Sequence, residues 1–269
     1  MLGAVRSTIL KGAGGNSYSP AQLTNIDAWI DASYGPRVFS DGDATTQAND
    51  GQKAASIVDR INGYKFYNTN INSQPVYRMS EGALEYDLDG LGVGPNPINF
   101  PGSASIFIVF NPAVSTQSYV QSLFSIGNSG APTLGVMACH LTTTGKVQTW
   151  ASDGSTSWIT STTPSISANT IQLAESRFNS ATKYVEVLLN NASLAQALTT
   201  TSTLRSETFY ATYIGARNNI VGTVAISGSQ AGFSGKIYEV IVVKDLVTGA
   251  QRTDLMKYFQ SKYGLSLGV

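Results

Sequence analysis

The stretch "EGALEYDLDGLGVG", residues 81–94, places Glu85, Asp87 and Asp89 at every second position, with Leu84, Tyr86 and Leu88 between them. Alternate residues of an extended chain share a face, so the segment reads as a β-strand with acids on one side and apolar side chains on the other. Gly90 and Gly92 then mark a turn. The acidic row has two readings: the charged solvent face of an antiparallel strand, or a catalytic row in which two carboxylates stand close enough to cleave a glycosidic bond.

Strand signals of the same kind follow in close succession along the chain. They are "SASIFIVFNP" (103–112), "QSLFSIG" (121–127), "TLGVMACHLT" (133–142), "GKVQTWAS" (145–152), "STSWITST" (155–162), "NTIQLAESRF" (169–178), "KYVEVLLNN" (183–191), "TFYATYIGAR" (208–217) and "GFSGKIYEVIVVK" (232–244). Each is rich in β-branched or aromatic residues and bounded by turn residues. With no helix between them they predict an all-β, two-sheet antiparallel sandwich. Asp153-Gly154 and Asn190-Asn191 read as hairpin turns.

One helix is expected, over 248–263. Thr248 and Gln251 have capping-box spacing, Leu255, Phe259 and Tyr263 keep the helical period, and Gly264 ends it. Residues 34–74 are rich in Asp, Asn, Gly and Gln and read as long loops with short strands, or a helical turn near "GQKAASIVDRI". Residues 1–23, with "GAGGNS" at 12–17, read as an extended arm, and 24–269 as one domain.

Composition narrows the function classes. Seventeen basic residues balance seventeen acidic ones over 269, and only 13% of residues are charged, against about 25% in an ordinary domain. No electrostatic attraction to nucleic acid or to an anionic membrane is expected. No segment has the length of a membrane span, and Arg6 and Lys11 interrupt the apolar N-terminal stretch, so synthesis in a cytoplasm is expected. Cys139, the single cysteine, allows no internal disulfide and reads as a small buried hydrophobe. His140, the single histidine, lacks the context of a nucleophile and reads as structural.

In this order the segments "AWIDAS", "SIVDRINGYKFYN", "QPVYR", "ALEYDLDG", "YVEVLLNN", "YIGAR" and the terminal "FSGKIYEVIVVKDLVTGAQRTDLMKYFQSKYGL" resemble the concanavalin A-like jelly-roll domains, in particular the laminin-G-like modules of bacteriophage virion proteins. The resemblance spans roughly 24–265. It implies two curved sheets of about six or seven strands each, with first and last strands adjacent and the closing helix on the back. It further implies a non-enzymatic tail, fibre or capsid-decoration protein of the virion, made in the host cytoplasm. Residues 1–20 would anchor it to other virion proteins, as a homo-oligomer, trimeric in a fibre.

A lectin-like adhesin that binds cell-surface glycan is the alternative, and a glycoside hydrolase a third reading. For glycan the candidates are Trp150 and Trp158, expected to face each other across the Asp153-Gly154 hairpin as a stacking platform, with Tyr213, Arg217 and Asn218 at another strand end. For calcium, the candidate ligands are Asp41, Asp43 and Asp50, although Gln52 stands where a calcium loop needs its bidentate acid. Glu-x-Asp-x-Glu on a strand is the signature of a family of retaining glucanases. Here its third position is Asp89, one methylene short, so no catalytic residue is assigned.

Overall fold

The computed structural model describes residues 18–93, 98, 100, 102–127, 135–162, 164–201, 203–204, 212–216 and 232–269. Strands form almost throughout them, some from segments that alternate apolar and polar residues, as at 83–87, and others from continuous apolar runs buried on both faces, as at 104–110. The first half holds β1 (Ile26–Asp31), β2 (Val38–Phe39), β3 (Ser56–Val58), β4 (Lys65–Tyr67), β5 (Val76–Arg78), β6 (Ala83–Asp89), β7 (Leu91–Val93), β8 (Ala104–Pro112) and β9 (Gln121–Gly127). The second holds β10 (Gly135–Leu141), β11 (Val147–Ser152), β12 (Ser157–Ser161), β13 (Gln172–Asn179), β14 (Tyr184–Leu189), β15 (Ser193–Leu198), β16 (Thr212–Ile214), β17 (Phe233–Val243) and α1 (Gly249–Tyr263).

The strands form two antiparallel sheets, eight-stranded and nine-stranded among the described residues. The first runs β15-β14-β13-β8-β17-β6-β5, with β1 paired to β17; the second runs β12-β11-β10-β9-β16-β7-β4-β3-β2. The expected jelly-roll sandwich is therefore present, with first and last strands adjacent. Between the sheets, Ile106, Ile108 and Phe110 of β8 and Val240 and Val242 of β17 share one core with Phe124 and Ile126 of β9 and Met137 and Cys139 of β10. Burial pushes the Cys139 thiol up to about 12, which fits a packing role rather than a reactive one.

Residues 51–61 contain strand β3 where a helical turn was one expectation, and β15 arises from "SLAQAL", which carries no strong strand signal. The Asn190-Asn191 hairpin is as expected, both residues taking left-handed φ of 50° and 60°.

Helix α1 covers one end of the outer face of the eight-stranded sheet. Leu255, Met256 and Phe259 pack on Trp29, Phe107, Val109 and Ile241, and Gly264 closes the helix in the left-handed region. The capping box does not form: Thr248 makes no side-chain cap bond, and Gln251 exchanges hydrogen bonds with Thr24 instead. Residues 18–23, read from sequence as part of the arm, lie on this same cluster. Ser19 and Gln22 close a capping box around a short 3-10 helix, and Leu23 is buried. Residues 1–17 of the arm are outside the described residues.

Candidate functional site

The two ends of the outer face of the eight-stranded sheet differ. Under α1, Glu239 is buried and takes donors from every side. Trp29 Nε1–H donates to its Oε1 at 2.5 Å, Tyr258 OH at 2.9 Å, and Tyr263 OH and Lys262 Nζ donate to Oε2 at 2.6 and 3.0 Å. Lys262 also pairs with Asp31 at 3.0 Å, and Arg60 pairs with Asp31 at 2.8 Å while lying 3.7 Å over the Trp29 ring. Burial and the neighbouring Glu239 hold the Tyr258 and Tyr263 hydroxyls well above their usual pKa, so both remain donors. The set is closed and holds the helix on the sheet.

At the other end no helix covers the sheet among the described residues, and Asp87 of β6 is exposed on that face. Cross-strand partners share a face, and Glu85 opposes Lys236 and Val76 while Asp87 opposes Ser234. A cleft of about 430 Å³ opens here, lined by Lys53, Arg78, Glu85, Asp87, Asp89 and Ser234, among others. A second hollow of about 320 Å³, which shares Asp87 and Ser234 with the first, is lined by Thr116, Gln117 and Tyr119 from the loop after β8 and by Gln121 at the start of β9.

Strand alternation does not survive to the end of β6. The register with β17 shifts between Phe233 and Ser234, a β-bulge, and Leu88 takes a left-handed φ of 62°. Such a backbone costs a non-glycine residue about 1–2 kcal/mol. Gly232 makes room for it, since a Cβ there would stand 2.5 Å from the Leu88 carbonyl oxygen. Beyond the bulge Asp89 is 4% exposed. It accepts from the Asp87 amide at 3.2 Å and lies 3.7 Å from Lys53 Nζ. Burial raises its pKa, and the Asp87 amide and Lys53 oppose that rise without cancelling it.

The remaining charges are arranged unevenly. Arg78 gives both Nε and Nη2 to a single oxygen of Glu85, Oε2, at 2.5 Å. Lys53 Nζ donates to the Gln74 carbonyl at 2.5 Å, and Lys236 is held by both oxygens of Glu81 at 2.8 and 2.6 Å. Asp87 is exposed, and its carboxylate has no hydrogen bond or ion pair among the described residues.

Those residues singled out from sequence for glycan or metal that are described do not assemble into one site. Trp150 opposes Ile159 and Trp158 opposes Ala151, so the two rings lie on opposite faces of the sheet. Trp158 is in the inter-sheet core, and Trp150 and Tyr213, 5% and 1% exposed, are buried on the outward face. None forms an open platform, because the hairpin register is offset by one residue from the expected pairing. Arg217 and Asn218 are outside the described residues. Asp41 accepts from Thr45 and Thr46, which hold its carboxyl below the usual carboxylate range, while Asp50 caps the Met79 amide at 2.7 Å. Among the described residues no three His, Cys, Asp or Glu side chains gather as a metal site, Asp43 included.

Sequence reading pointed to Glu85, Asp87 and Asp89 but missed Lys53, Arg78 and Tyr119. A signal existed for Arg78: "QPVYR" and "ALEYD" flank the short turn "MSEG", and a hairpin there sets Val76 opposite Glu85.

No family model and no curated protein matches the chain. Solved structures do. A Trypanosoma rangeli sialidase in complex with the inhibitor DANA aligns with 89% of this chain at TM-score 0.54 and 10% identity, and the chain spans 34% of that sialidase. The likeness is one of fold. The sialidase CBM40 of Ruminococcus gnavus, bound to α2,3-sialyllactose, aligns with 58% of this chain and 82% of its own at TM-score 0.44 and 15% identity. A SAP-like pentraxin from Limulus polyphemus aligns with 64% and 82% at TM-score 0.43 and 13% identity.

Proposed function

We propose that this chain is a carbohydrate-binding jelly-roll module whose ligand lies in the cleft beside β6 and extends along the neighbouring hollow toward Tyr119. The observation that carries the reading is the polar cleft itself. Its open groups, the Asp87 carboxylate and Glu85 Oε1, are acceptors for sugar hydroxyls, and Tyr119 and Gln117 next to it supply a ring and an amide of the kind that orient a saccharide. Solved structures of similar fold include a module bound to a sialylated glycan, which supports the class of ligand and not its identity.

The reading is of binding without hydrolysis. Glu85 is committed through one oxygen to Arg78, and Asp89 is buried behind the bulge, so the pair that the glucanase-like spacing would use, Glu85 and Asp89, is not both open to a substrate. A glycan array followed by titration of the hits tests the proposal. Asp87→Ala and Tyr119→Ala are expected to weaken binding about ten-fold each with folding retained; a blank array, or hits indifferent to both changes, would sink it.

Within this reading the module serves attachment on a virion, for which the support is the laminin-G-like order of segments, the low charge and the arm. Residues 1–20 would hold the particle and the cleft would meet the host surface. Particles that incorporate the protein equally well without residues 1–20 would exclude that anchor.

A further inference from the structure

We infer that the cleft selects glycans carrying a free ammonium group, such as a de-N-acetylated hexosamine, and rejects acidic ones; this rests on the carbohydrate reading above. The inference comes from which charges are already answered. Two cations and three carboxylates line the cleft, an excess of one negative charge. Both cations have partners: Arg78 spends two donors on Glu85 Oε2, and Lys53 binds the Gln74 carbonyl beside Asp89. Lys236, opposite Glu85 on β17 and outside the lining, is held by Glu81.

The carboxylates are not all answered. Among the described residues Asp87, exposed between the two hollows, has no partner and Glu85 Oε1 accepts no hydrogen bond. A sialic acid or uronate would bring its carboxylate beside Asp87, where each lining cation already stands against a carboxylate of the cleft, Arg78 against Glu85 and Lys53 near Asp89. An ammonium reverses the sign: it meets Asp87 as an ion pair and can donate a second hydrogen bond to Glu85 Oε1. Because Asp87 is exposed, the preference is bounded. One solvent-screened ion pair changes a binding constant by up to about five-fold, and less as salt is added.

The test is calorimetric titration of the full chain with three probes: a β1,4-linked glucosamine tetramer, its fully N-acetylated counterpart, and 3′-sialyllactose. Expected are binding of the glucosamine tetramer about three- to five-fold tighter than its acetylated form at low salt, a gap that narrows at high salt, and no measurable binding of sialyllactose. In Asp87→Asn the gap should close by loss of amine affinity alone, with the acetylated tetramer unchanged. Equal affinities, tighter sialyllactose binding, or a gap that persists in Asp87→Asn would overturn the selectivity while the carbohydrate reading stands. If none of the three binds but an array yields another glycan, the selectivity falls alone; if the array is also blank, both fall.

Discussion

Glu239 and Asp87 both project from the outer face of the eight-stranded sheet, at opposite ends, and their surroundings differ in nearly every respect. Glu239 is buried and takes donors from Trp29, Tyr258, Lys262 and Tyr263. Asp87 is exposed and takes none among the described residues. The difference teaches how to separate structural charge from binding charge on one sheet. A buried carboxylate tolerates its desolvation only when donors saturate it, and those donors then tie together the elements that carry them. An exposed carboxylate without partners holds nothing in place, so the fold can lose it at little cost.

The contrast can be broken by substitution. Glu239→Ala should cost about 3–5 kcal/mol, because it takes the acceptor from the buried Trp29 Nε1–H and Tyr263 hydroxyl and one of two carboxylates from Lys262. Asp87→Ala should move stability by no more than about 0.5 kcal/mol. Urea unfolding of both variants checks the pair, and equal losses would end the distinction.

A smaller effect sharpens the picture of the open end. Gly232→Ala brings a Cβ to 2.5 Å from the Leu88 carbonyl oxygen, and overpacking of this kind costs about 1–3 kcal/mol. The bulge should shift with it, so glycan affinity should fall in the same variant. Unchanged affinity alongside lost stability would show that the bulge does not shape the cleft.

The smallest effect concerns pH. Burial raises the folded-state pKa of Asp89 above its unfolded value, so the folded chain retains a proton that the unfolded chain has lost in the range just above the ordinary aspartate pKa. Its contribution favours folding below that range and is lost as pH rises through it. Asp89→Asn should therefore gain stability relative to the parent on going from acid to neutral pH. A difference between the two that stays flat across this range in urea melts would contradict the assignment.

Much of the architecture is legible in the chain. The stretch 81–94 contains β6, and "QSLFSIG" is read from sequence with the bounds that β9 has in space. The first follows from period-two alternation and the second from a short apolar run between turn residues, both properties of neighbouring residues. Helix α1 was legible for the same reason, although its cap was not: Gln251 finds Thr24, 227 residues away, and no local spacing encodes that. Strand β15 was missed because Ala and Gln have little strand preference, and only pairing with β14 makes "SLAQAL" extended. The two tryptophans failed as a platform through register, since a one-residue offset sends a side chain to the other face.

The acidic row of residues 81–94 shows where the boundary lies. Sequence by itself determined that this stretch is a strand, that the chain builds a two-sheet sandwich closed by a helix, and that its acids form a row, because each of these depends on local periodicity and composition. Only the tertiary structure decided what each acid does. The left-handed Leu88 turns Asp89 into the interior beside Lys53, the β5–β6 hairpin commits Glu85 to Arg78, and Asp87 is left open. The physical reason is that the fate of a charge depends on its solvation and its partners, and here those arrive from distant segments of the chain or do not arrive at all.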